Sequence, residues 1–202
     1  SFPQFSILDP EATFSLPPFQ VACGIADTFV HVMEQYLTVT GVSPLMDRWA
    51  EGILQTLIEI APKIRANQHD YDQMANFMLC ATMGLNGFIA MGVPQDWATH
   101  MIGHELTALH GVTHGQTLVV VLPALMSVMR EQKKGKILQY VKARRSSASP
   151  GRSAPPKSSS ARWDWLLACT NCRSGKIRST RSSVASTSAA PGWAKRATSR
   201  AT

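Results

Sequence analysis

Four of the six histidines in this 202-residue chain lie within one short stretch, between His100 and His114. His100 and His104 are four residues apart, which on an α-helix separates them by about 40° of rotation and roughly 5–6 Å. Gly111 is typical of a helix end, so the chain is expected to turn back before His114. Imidazoles at such spacing can bind a divalent metal. A lone histidine is more often a hydrogen-bonded structural residue, so a metal site needs ligands from elsewhere.

A second pair of possible ligands lies near the N-terminus, where Asp27 and His31 are also four residues apart. The segment from Pro18 to about Thr38 is apolar nearly all round, which is typical of a buried helix. Its polar residues gather in one stripe, made up of Gln20, Asp27, His31 and Glu34. Spacing alone leaves a solvated polar face possible. A carboxylate on a buried helix, however, requires a cation or a hydrogen-bond network.

The elements around these residues predict an all-α helical bundle over residues 18–141, because no convincing pair of strands is present. Residues 1–17 contain three prolines and predict an extended N-terminal segment. Five helices are expected: Pro18 to about Thr38, Pro44 to Pro62 with Ser43 as cap, Tyr71 to Met91, Pro94 to Gly111, and His114 to Gln132 with a kink at Pro123.

Two helix faces are predicted to point into the core. On the second helix this face comprises Leu45, Trp49, Ile53, Leu57 and Ile60. On the fourth helix the face of His100 and His104 continues into Trp97, Met101 and Ala108. His110 lies about 240° round from His104 and is predicted to face solvent.

Residues 142–202 differ from the rest of the chain in composition. They hold 13 of the 20 lysines and arginines, 14 serines and a single acid, so the net charge of +7 comes wholly from this tail. Three interpretations compete: a disordered arm that binds nucleic acid through phosphates, an ordinary flexible extension, or a shifted reading frame. We favour the frameshift because the helical pattern of residues 134–141 stops without a cap. A coding sequence whose other frames restore no amphipathic pattern would exclude it.

Cysteine usage favours a reducing compartment, and we expect a cytoplasmic protein. Cys23 and Cys80 lie in apolar helical surroundings, and Cys169 and Cys172 form one isolated CxxC that is weak evidence for zinc. No apolar run has the length of a membrane span, and no signal peptide is recognisable. Because Ser1 is not a methionine, the chain is expected to be processed or to be a fragment.

Two longer runs resemble the signatures of the iron-containing alcohol dehydrogenase family, and the resemblance covers about residues 1–141. The first run contains Ser6-Ile7-Leu8-Asp9, Pro17, Ala22, Gly24, Asp27-Thr28-Phe29 and Glu34. The second contains Trp97, His100, Gly103-His104, Thr107-Ala108, His114-Gly115 and Thr117. The segment QDWATHMIGHELTALHG resembles the sequences of one branch of the family, the NADPH-dependent aldehyde reductases and butanol dehydrogenases.

The resemblance implies a reversible, NAD(P)H-dependent reduction of an aldehyde to a primary alcohol. It implies a divalent metal, iron or zinc, held by Asp27, His31, His100 and His114, with NADP(H) favoured over NAD(H). His104 would lie beside the nicotinamide, as a candidate for catalytic orientation or proton relay. The implied fold is the C-terminal helical domain of a dehydroquinate-synthase-like two-domain fold, and the full-length protein is expected to be a homo-oligomer without a membrane partner.

The chain also departs from the family pattern. No α/β nucleotide-binding domain with a glycine-rich pyrophosphate loop is recognisable, so we expect a fragment that does not turn over alone. Two rival interpretations remain at this point. One is a non-catalytic helical metal-binding protein with a basic nucleic-acid-binding arm. The other is a purely structural metal with the same four ligands, because sequence cannot show an open coordination position.

Overall fold

The computed structural model describes residues 3–146, and within that range it contains six α-helices, one 3₁₀ turn and no strand. The predicted all-α class is confirmed. The 3₁₀ turn is Pro10–Thr13, and the helices are α1 Pro18–Tyr36, α2 Pro44–Ala66, α3 Tyr71–Leu85, α4 Ala98–His110, α5 His114–Val128 and α6 Lys134–Ser146. The count of five helices leaves out α6, which corresponds to the helical pattern expected at residues 134–141 and continues to Ser146. Most of the predicted tail, residues 147–202, lies outside the described range.

The helix α1 is the centre of the bundle, since the other elements pack around it. Its apolar side chains are buried on nearly every side, as the sequence predicts. Burying a side chain of this size contributes about 1.5–3 kcal/mol, so α1 supplies much of the stabilisation of the core. The main buried cluster joins Phe29, Val30, Val32 and Met33 of α1 to Leu54 and Leu57 of α2 and Leu118, Val119 and Leu122 of α5.

Four predicted helix bounds are wrong. The helix α4 begins at Ala98 instead of Pro94, and α5 ends at Val128 instead of Gln132. A proline and a glycine account for the other two. The helix α2 continues through Pro62 to Ala66, because Pro62 is exposed and the buried side chain of Ile64 holds the last turn in place. The helix α3 ends at Leu85 instead of Met91. The reason is Gly87, which has a φ of 87° that no α-helix accommodates.

The predicted core face of α2 is wrong at its N-terminal end. Leu45 and Trp49 are 59% and 44% exposed, whereas Met46 and Ala50 are buried in their place. Each step of four residues moves the side chain by about 40° around the helix. Three such steps separate Leu57 from Leu45, so a row of side chains that is buried at Leu57 faces solvent at Leu45. No helix in the described range is long and apolar enough to cross a membrane.

Candidate metal centre

Asp27 and His31 form the α1 side of the candidate site. They face one way because they are one helical turn apart, and both are half-buried. The His31 Nδ1 atom lies 2.9 Å from the Asp27 Oδ1 atom and 2.9 Å from the Asp27 backbone carbonyl oxygen. The carboxylate therefore already has one imidazole beside it before any other helix contributes.

The helix α4 brings His100 to the same carboxylate. The His100 Nε2 atom lies 3.4 Å from Asp27 Oδ1, and the His100 and His31 ring centroids are 4.2 Å apart. One ligand atom from each of the three residues lies within 4.8 Å of the other two. Trp97 packs edge-on against both imidazoles. One oxygen and two nitrogens thus converge on a space of the size a single cation requires.

His114, the first residue of α5, approaches the same carboxylate from a third direction, outside the set of three whose ligand atoms lie within 4.8 Å of one another. Its Nε2 atom lies 4.0 Å from Asp27 Oδ1, and its ring is 5.3 Å from the ring of His100. The Nδ1 atom of His114 is buried and has no hydrogen-bond partner in the described structure. His104 is exposed and stacks on His114 with centroids 4.6 Å apart and planes within 5°. His110 is exposed, as predicted.

The predicted inward face of α4 is wrong beyond His100. Met101 is 58% exposed, and His104 and Ala108 are exposed too. The buried side of α4 is centred on Thr99 and Gly103, from which His104 is about 120° away and Met101 about 180°. Only the first turn of α4 therefore faces α1, and the rest of the predicted face is open beside the site.

Glu34 lies behind His100 and has no role assigned by the sequence analysis. Its side chain is 4% exposed, on the same polar stripe as Asp27. The His100 Nδ1 atom is in hydrogen-bond contact with Glu34 Oε2, and the backbone N–H of Thr99 donates to Glu34 Oε1. In the sequence, the signal for Glu34 is its place on the polar stripe of α1. That place does not identify Thr99 and His100 as its partners.

The charges in the site are strongly coupled. Burial alone would raise the pKa of Asp27, but hydrogen bonds from His100 and His31 outweigh it and hold the pKa well below its usual range. Burial would lower the pKa of His100, but hydrogen bonds to Asp27 and Glu34 raise it to about 9. The pKa of His114 is lowered, first by burial and then by repulsion from neighbouring histidines. The centre is thus built around an ionised carboxylate.

Two glycines allow the close helix contacts on which the site depends: Gly103 lies where α4 meets α5, and Gly115 lies where α5 meets α1. A Cβ atom added at Gly103 would lie 2.8 Å from the Thr117 Oγ1 atom. One added at Gly115 would lie 2.7 Å from the backbone carbonyl oxygen of Cys23 on α1. Since Gly115 directly follows His114, this contact sets how near that imidazole comes to Asp27.

Gly115→Ala is accordingly expected to lower the free energy of unfolding by about 1–3 kcal/mol, because the added methyl group meets backbone that cannot rotate away. Gly52→Ala is the control, since an added Cβ there meets nothing within 4 Å and α2 gains a better helix former. Urea denaturation followed by circular dichroism measures both. Equal stability of the two variants would contradict the close packing of α5 on α1.

Comparison with known proteins gives one consistent family. The profile of the "Fe-containing alcohol dehydrogenase family, C-terminal" matches residues 21–170, beyond residue 141 where the sequence resemblance was expected to end. The NADPH-dependent aldehyde reductase YqhD of Escherichia coli is 56% identical over 138 residues, which are 68% of this chain and 36% of that protein. The probable NADH-dependent butanol dehydrogenase 1 of Bacillus subtilis is 38% identical over 125 residues, which are 62% of this chain and 32% of that protein.

Solved structures agree with the sequence matches. The substrate- and cofactor-free form of the Escherichia coli aldehyde reductase YqhD has a TM-score of 0.71 at 48% identity, covering 84% of this chain and 43% of that one. The NADH-dependent butanol dehydrogenase A of Thermotoga maritima has a TM-score of 0.68 at 28% identity, covering 84% and 41%. The chain spans about a third of the length of the curated relatives it matches.

Proposed function

Because the chain belongs to the iron-containing alcohol dehydrogenase family, we propose that it carries the metal centre of an alcohol dehydrogenase or aldehyde reductase. The proposed ligands are Asp27, His31, His100 and His114. The observation that carries the proposal is the convergence of three imidazoles from α1, α4 and α5 on a single oxygen, Asp27 Oδ1, at 2.9, 3.4 and 4.0 Å. A half-buried carboxylate with three imidazoles beside it suits Zn²⁺ or Fe²⁺.

The proposed reaction is reversible hydride transfer between a nicotinamide cofactor and a small aldehyde or primary alcohol. A bound divalent cation supplies Lewis-acid polarisation of the carbonyl oxygen. The chain's own contribution is to fix the ligand geometry and the charge. One carboxylate and three neutral imidazoles leave a net positive charge with a divalent ion, which favours the negative charge that develops on the substrate oxygen.

His104 is the residue proposed to meet the cofactor. It is exposed at the rim of the site, and its ring stacks on His114. In that position it can orient the cofactor or pass a proton between solvent and the substrate oxygen. NADP(H) is favoured over NAD(H) because the Escherichia coli relative with 56% identity is described as NADPH-dependent. We propose that turnover also requires the portion of the full-length relatives that does not align with this chain.

The cellular setting belongs to the same proposal. We place the protein in the cytoplasm, because Cys23 and Cys80 are buried and neither forms a disulfide within the described residues. A full-length protein of this family is expected to form a homo-oligomer. The rival nucleic-acid arm, residues 142–202, lies outside the described range except for residues 142–146 at the end of α6.

A chimera tests the proposed activity. The 138 residues of this chain that align with the Escherichia coli aldehyde reductase would replace their counterparts in that protein, and NADPH oxidation would be followed on addition of a short aldehyde. Aldehyde-dependent oxidation is expected, and it should be lost in the same chimera carrying His31→Ala. A folded chimera that binds one metal per chain without turnover would favour a structural metal instead.

A further inference from the structure

We propose that Glu34 is a positioning residue of the metal centre, which sets both the ring orientation of His100 and the position of α4 on α1. This inference rests on the proposed metal-binding function. Glu34 contacts His100 from the side opposite Asp27, so it acts on the metal only through that imidazole. It lies on α1, seven residues or two turns beyond Asp27, and is almost completely buried.

The two nitrogens of the His100 ring have different partners. Nδ1 is in hydrogen-bond contact with Glu34 Oε2, while Nε2 points to Asp27 Oδ1 at 3.4 Å. An ionised carboxylate can only accept, so Glu34 requires the proton on Nδ1. In the neutral form that a metal ion would bind, the lone pair of His100 is then on Nε2, the nitrogen on the Asp27 side. A carboxylate behind a metal-binding histidine fixes the tautomer and the ring orientation in this way.

The start of α4 is only partly capped by its own segment. The Asp96 side chain accepts the N–H of Ala98 at 3.2 Å, but Trp97 makes no side-chain cap hydrogen bond, so the next N–H group needs an acceptor from another element. Glu34 Oε1 accepts the N–H of Thr99, and the Glu34 backbone carbonyl oxygen accepts the N–H of Asp96 at 3.4 Å. A negative charge at this end of the helix is also favoured by the helix dipole. Glu34 thus caps α4 from another helix.

The two roles together require a carboxylate at this position. Two donors, Thr99 N–H and His100 Nδ1–H, meet two carboxylate oxygens. A glutamine of the same size offers only one oxygen, so its NH₂ group would face one of the two donors. The change Glu34→Gln therefore either releases the end of α4 or turns the His100 ring, and both outcomes move Nε2 away from Asp27.

Zinc titration of the full 202-residue chain tests this inference. Glu34→Gln is expected to raise the Kd for Zn²⁺ about 10–100-fold, the usual cost of losing a carboxylate behind a metal-bound histidine. Glu105→Gln, the same change at an exposed position on α4, is the control and should leave the Kd unchanged. Competition with a chromophoric chelator measures both. Wild-type affinity in a folded Glu34→Gln chain would overturn the positioning role while leaving the metal centre intact.

A spectroscopic measurement keeps the inference testable if Glu34→Gln does not fold. In the zinc-loaded wild-type chain, ¹⁵N-edited NMR should show His100 protonated at Nδ1, with a proton that exchanges slowly with solvent. The ring is assigned by comparison with His100→Gln. An unprotonated Nδ1 would overturn the role of Glu34. A wild-type chain that binds no zinc would instead overturn the proposed function, and the inference that rests on it.

Discussion

His100→Ala is expected to lower the affinity of the chain for Zn²⁺ at least about 100-fold. Four-ligand zinc sites bind with about 10–16 kcal/mol, so one ligand in four accounts for roughly 3 kcal/mol, which corresponds to a factor of about 100 or more. His100 is the most buried of the proposed ligands and lies between Asp27 and Glu34. Its loss removes a nitrogen that water replaces poorly. Equilibrium competition with a chelator gives the two dissociation constants.

His110→Ala on the same helix is the matched control, because His110 is exposed at the end of α4. Its zinc affinity should equal that of the wild-type chain. His31→Ala is a second ligand variant, which guards against unfolding caused by leaving Glu34 buried without His100. Circular dichroism of each metal-free variant identifies such unfolding. Unchanged zinc affinity in both folded ligand variants would contradict the assigned ligands.

Local spacing was enough to predict the pairs that belong to one helix. Asp27 and His31 lie one turn apart on α1 because the apolar pattern of that segment allows only a buried helix, and the structure brings both side chains to one space. His100 and His104 illustrate the limit of the same argument. They are equally spaced, but the buried side of α4 runs through Thr99 and Gly103, so His100 is buried beside it and His104 is exposed.

Contacts between distant segments could not be predicted in this way. Glu34 is 66 residues from His100 in the sequence, and their contact depends on how α4 crosses α1. That crossing depends in turn on Gly115, where the absence of a side chain lets α5 touch the backbone of α1 at Cys23. The spacing of residues within one helix carries no information about how closely two helices pack. The sequence therefore identified candidate groups, and tertiary packing determined their partners.

The helix α6 shows the same limit for charged residues. By composition Lys133 and Lys136 are ordinary surface charges, yet both are buried. Lys133 pairs with Asp96 at 2.6 Å and donates to the Leu37 carbonyl oxygen at 2.8 Å. Lys136 is 1% exposed, pairs with Asp47 of α2 and lies 4.4 Å from the centre of the Tyr36 ring. These contacts attach α6 to the bundle.

Lys136→Met is therefore expected to lower the free energy of unfolding by about 3–5 kcal/mol. The substitution leaves the Asp47 carboxylate buried and without its cation, and the remaining hydrogen bond from the Gln139 side chain, at 2.9 Å, replaces only part of that interaction. Removing one member of a buried ion pair costs more than removing both, since the uncompensated charge remains away from water. Urea denaturation of the metal-free chain measures the change.

Lys134→Met makes the same change two residues earlier, at a lysine whose side chain is 63% exposed and pairs with Glu131 at 3.5 Å. An exposed pair of this kind contributes at most about 1 kcal/mol, so this control separates burial from the loss of a charge. The double variant Lys136→Met, Asp47→Asn should regain stability over Lys136→Met, because the carboxylate is neutralised while its amide can still bond to Gln139. If Lys136→Met is no less stable than Lys134→Met, the ion pair does not hold α6 on the bundle.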